Sequence, residues 1–63
     1  MSYRLVIDYG THKNYVPFQS EWAAKLRCRD YRSAAKRNGS SIRFYVESGN
    51  YVKDIWQTKE VVL

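Results

Sequence analysis

The chain has few of the devices that brace small proteins. One cysteine, Cys28, and one histidine, His12, are present. No disulfide can therefore close within the chain, and a structural zinc site is not expected. A single proline and three glycines are present, and none of them falls inside the stretch 21–37, which therefore has no internal breaker. No apolar run reaches the length of a signal sequence or a membrane span. Acid is scarce too, with six Asp and Glu against eleven Lys and Arg, for a formal net charge of +5. The six carboxylates are scattered and form no pair or motif suited to acid–base catalysis or metal binding. A Gly-rich phosphate loop and a nucleophile elbow are also missing. These absences argue against an enzyme, and against any catalytic residue, metal or cofactor.

What the chain has in quantity is aromatic surface and positive charge. Six Tyr and two Trp help to bring the aromatic fraction to 16% of 63 residues. A chain of this length forms one domain, residues 1–63, and buries only about 60% of the surface its unfolded form exposes. Large rings raise the area removed from water per residue, which suits a small core without crosslinks.

In chain order, residues 3–9 alternate, with Tyr3, Leu5, Ile7 and Tyr9 on one face and Arg4, Val6 and Asp8 on the other. That period of two, with β-branched and aromatic residues, predicts a strand. Residues 10–14 are a turn by composition. Residues 15–18 could form a short second strand, which Pro17 confines to an edge. Ser20 is placed to cap a helix that Asn38-Gly39 ends, with Glu21 in the first turn and Lys36 and Arg37 in the last. Residues 41–47 alternate again, and 48–50, Ser-Gly-Asn, read as a hairpin turn before a strand over 51–58. Pattern alone leaves two registers for that hairpin. One sets Phe44 opposite Ile55. The other, preferred because it groups four apolar side chains on one face, sets Val46 opposite Val52 and Ile42 opposite Trp56. The tail 59–63 extends that strand or docks on a neighbour. The fold class is thus α+β: a small antiparallel sheet of three or four strands packed against one helix, in the order β(β)αββ.

Charge concentrates on the helix. Between Lys25 and Arg37 lie six of the eleven basic residues against one acid, Asp30. On a helical projection Lys25, Arg29, Arg32 and Lys36 fall in one row. Ala24, Cys28, Tyr31 and Ala35 form the adjacent row, predicted to pack inward with Tyr31 as its anchor. Trp22 and Leu26 flank the basic row, and Arg27 falls on the alanine side. Three like-charged neighbour pairs in the row cost a few tenths of a kcal/mol each at low salt, with only Glu21–Lys25 to offset them. A helix shaped for solubility alone could mix its signs, so the row reads as an anion-binding rail. Candidate binding residues are Lys25, Arg29, Arg32 and Lys36, supported by Arg27, Arg37, Arg43, Tyr45, Lys53 and Trp22. A sheet face bearing Arg43, Tyr45 and, in one register, Tyr51 and Lys53 has the basic–aromatic alternation of single-strand binding platforms. His12 in its turn and Cys28 on the inward row are read as a solvated side chain and a small core residue. The apolar rows are mainly alanine, too little to hold the helix in lipid, so no membrane partner is expected.

The expected partner is DNA or RNA, or else an acidic or nucleic-acid-binding host protein complex. In size and element order the chain resembles small stand-alone proteins of phages and mobile elements. Some of those inhibit host machinery, such as RNA polymerase inhibitors and anti-CRISPR proteins. The resemblance is one of layout and carries no diagnostic residues. It implies an alternative function as an inhibitor of a host complex. A lone thiol fits a reducing compartment, so a cytoplasmic protein is expected, in a bacterial host if phage-encoded. An exposed sheet edge with the Val61-Val62-Leu63 tail also allows a homodimer.

Overall fold

A computed structural model describes residues 2–63. Five elements follow one another: β1 (Ser2–Asp8), β2 (Lys13–Phe18), α1 (Glu21–Arg37), β3 (Arg43–Val52) and β4 (Ile55–Val61). The strands form one antiparallel sheet in the order β2-β1-β3-β4, and α1 crosses one face of it. The fold is the predicted α+β arrangement with four strands. Pro17 lies on β2, an edge strand, where its missing N–H breaks no interior ladder.

The helix starts and stops where its caps dictate. Ser20 is extended (φ −115°, ψ 129°) and its Oγ accepts from the Ala23 N–H at 3.3 Å. At the other end Gly39 takes φ +67°. Its N–H donates to the Lys36 carbonyl at 3.3 Å, and Ser40 N–H donates to Ala35 at 2.8 Å. That pair of bonds is the Schellman stop, which turns the chain back toward the sheet.

The core forms between helix and sheet from Leu5, Val46, Ala24 and Cys28, all fully buried, ringed by Ile7, Phe18, Phe44, Val62 and Leu63. Small side chains at Ala24 and Cys28 let the helix approach closely. The expected anchor, Tyr31, is not buried. It lies at the margin, 38% exposed, with its ring stacked on Phe44 at 5.3 Å. The tail runs on beside β3: Val62 N–H donates to the Val46 carbonyl and Val46 N–H to that of Leu63. Both residues are half-buried against the core, whereas Val61 is exposed.

The β3–β4 hairpin corrects two expectations. Strand β3 runs straight through Ser48-Gly49-Asn50, and the turn is Lys53-Asp54, both left-handed at φ 52° and 64°. Two successive residues of positive φ make the two-residue turn whose twist matches the flanking strands. The register follows from it: Val52 faces Ile55, Tyr51 faces Trp56 and Glu47 faces Val61, so neither expected pairing forms. Gly49 serves a different purpose. It sits at a bulge beside Ser48, where an added Cβ would collide with the Gln57 carbonyl and lie 2.9 Å from the Trp56 ring.

Candidate functional site

Packing through Ala24 and Cys28 puts the basic row on the helix flank that looks toward β3. Lys25 reaches Glu21 at 3.6 Å, the one helical ion pair among the described residues. Arg32 bends to the sheet and its Nε donates to the Phe44 carbonyl at 2.9 Å. Phe44 has the parity of Val46, so that carbonyl faces the side on which pairing with the tail stops at Val46. Arg32 thus satisfies an otherwise open strand acceptor, and its terminal guanidinium nitrogens remain for another partner. Arg29 and Lys36 are exposed and take part in no ion pair among the described residues.

The C-terminal half of this flank opens into a cleft of about 530 Å³ between α1 and the start of β3. Arg32, Lys36 and Arg43 line it together with Ala35, Ser40, Ile42, Phe44 and Tyr45. No carboxylate borders it. The Schellman stop makes this possible, because it brings Ser40 and then Arg43 back against the last helical turn. Three cations and two hydroxyl side chains, Ser40 and Tyr45, on the lining of one concavity can take an anion with charge-assisted hydrogen bonds.

The structure therefore sets Lys25, Arg29, Arg32 and Lys36 along one flank, and Arg43 and Tyr45, which by register belong to the opposite sheet face, help to line its cleft. It does not bring in the rest. Arg27 projects from the opposite flank, exposed, and so explains its misfit in the projection. Arg37 is exposed on the last turn but does not line the cleft. Lys53 occupies the hairpin turn, away from the helix. Trp22 points away from the sheet, 73% exposed, with Leu26 one turn on at 46%.

Residues outside the expected set form a second constellation on the sheet face opposite the helix. The Arg4 guanidinium lies 4.0 Å from the centre of the Tyr15 ring and 4.7 Å from that of Trp56. Its Nε donates to Glu47 Oε1 at 2.7 Å. Alternation had placed Arg4 on this face. Its partners come from β2, β3 and β4, and only the register could have named them.

His12 is exposed in the β1–β2 turn, stacked on Tyr9 at 4.6 Å with Thr11 Oγ1 3.0 Å from its Nδ1. Cys28 is fully buried, and burial pushes its thiol pKa up, partly opposed by Arg32. A protonated, inaccessible thiol has no nucleophilic role in the folded protein. Among the described residues no three metal-ligating side chains gather, and no helix is long and apolar enough to cross a membrane. In comparisons with known proteins, no family model, curated protein or solved structure matches this chain.

Proposed function

We propose that the protein is a non-enzymatic nucleic-acid-binding protein. Its cationic helix flank lies along the phosphate backbone, and the cleft of Arg32, Lys36 and Arg43 holds one phosphate group. The observation that carries this reading is the cleft: Arg32, Lys36 and Arg43 line it and no carboxylate does, although Asp8 is the cross-strand neighbour of Arg43. Backbone contacts of this kind supply affinity without sequence preference and depend on salt through counterion release. If four to six phosphates of duplex DNA are neutralised, log K falls against log salt with a slope of about −4 to −5. Fluorescence anisotropy on DNA and RNA at several salt concentrations measures it. Reversing Arg29 and Lys36 together to Glu should flatten the slope and remove most binding. Failure to bind either nucleic acid at low salt overturns the reading.

One observation favours a second reading, that of a phage-type inhibitor aimed at a host protein complex. Trp22 and Leu26 lie one turn apart on the solvent side of the helix, next to Lys25 and Arg29. An exposed Trp beside cations is the composition of a protein-binding hot spot. Pull-down from a nuclease-treated bacterial lysate separates the two readings. A stoichiometric protein lost with Trp22→Ala supports the inhibitor, and recovery of nucleic acid alone opposes it.

A further inference from the structure

The sheet face opposite the helix carries no covering element among the described residues, yet it is set with rings from three strands. Tyr15 on β2 is 50% exposed, Tyr51 on β3 is 59% exposed, and Tyr45 and Trp56 are half-buried. Two of these rings have a structural duty. Tyr15 and Tyr45 are the cross-strand neighbours of Val6, which is fully buried on this open face. Tyr51 has no such duty. It stands edge-on to Trp56 at 5.2 Å, beyond the end of β1, and faces solvent.

The face is also held in place. Arg4 is fixed between Tyr15 and Trp56 and pinned by Glu47. Glu47 Oε2 accepts from Thr58 at 3.2 Å, and Thr58 Oγ1 lies 2.8 Å from Trp56 Nε1, which donates to it. Trp56 thus keeps one orientation while part of its ring stays accessible. The carboxylates of this face are occupied: Glu47 by Arg4, and Asp8 by the Gly10 N–H, with Lys13 and Arg43 as its cross-strand neighbours. What the face offers is ring surface with a small positive excess. That composition suits nucleobases with their phosphates and does not suit a lipid or an acidic ligand without rings.

We propose that this open face stacks the unpaired bases of a single-stranded nucleic acid on Tyr51, Trp56 and Tyr15, with Arg43 and Lys13 toward its phosphates. The proposal rests on the nucleic-acid reading and specifies single strands as the ligand. Arg43 links the two surfaces, because it lines the helix cleft and also begins β3 on the open face. A single strand can pass from the cleft over the β3 margin onto the rings, whereas a rigid duplex would have to stay on the helix side.

The test uses the intact protein with an oligothymidylate, a duplex of the same strand length and inorganic polyphosphate. Ring-proton NMR signals of Tyr51 and Trp56 should shift upfield with oligothymidylate and stay fixed with polyphosphate. Tyr51→Ala should weaken oligothymidylate binding about tenfold, as loss of one stacked base does, while Tyr51→Phe restores it and polyphosphate affinity stays unchanged. Circular dichroism establishes that the variants are folded, and the ring shifts of the unmutated protein decide the matter if Tyr51→Ala is not. Binding of oligothymidylate without ring shifts, or no better than duplex, overturns the stacking surface and leaves the cationic flank intact. No binding to any nucleic acid overturns both.

Discussion

Cys28 and Gly49 show how little room single positions have in so small a molecule. The Cys28 thiol is fully buried under the helix, and desolvation raises its pKa above the ordinary value of 9.0. The unfolded chain ionises first as pH rises, so the stabilisation from keeping this thiol neutral is complete below about pH 9 and is lost above it. Urea unfolding at a series of pH values should show that decline, and Cys28→Ala should flatten it. A thiol reagent should label the native protein only as fast as it opens. Gly49 is constrained by space, since the Gln57 carbonyl and the Trp56 ring crowd its missing Cβ. Gly49→Ala should destabilise by about 1–3 kcal/mol, the usual cost of overpacking, read as a lower urea midpoint with an unchanged slope.

Among the elements, the helix combines its two roles at a small cost. Arg29 stands between like charges at Lys25 and Arg32. Arg29→Gln should therefore raise stability by a few tenths of a kcal/mol at low salt while weakening nucleic-acid binding. Both effects should shrink as salt is added, the first in a thermal melt and the second in anisotropy. The same helix was the most legible element in the sequence, because Ser20, Asn38 and Gly39 act locally and need no partner. The alternation of β1 and of β3 was legible for the same reason. The hairpin was not. Its turn residues, Lys53 and Asp54, include no glycine, while the real glycine at 49 marks a bulge that only the pairing of β3 with β4 reveals. The candidate site divides in the same way. The basic row could be read from spacing on one helix. Arg4 with Tyr15 and Trp56 brings together residues from three strands, so nothing local signalled it.

At the scale of the whole molecule, the strand order β2-β1-β3-β4 leaves the four strands unequally held. The two central strands are paired on both sides and lie under the helix, and β2 also touches it, whereas the helix makes no contact with β4. Apart from the tail and the contacts that side chains make at Trp56, Thr58 and Glu60, β4 is secured by one ladder, and that ladder is interrupted at Ser48/Gly49. Native-state hydrogen exchange should therefore find the amides of β4 opening at a lower free energy than those of β1, as a separate unit of local unfolding. Equal protection of the two strands would show that the sheet opens only as a whole. Trp56 lies on the strand expected to open first, while Arg4 lies on a central strand. Each excursion would leave the arginine with one ring instead of two, so the stack would breathe at a rate set by the hairpin and not by the core.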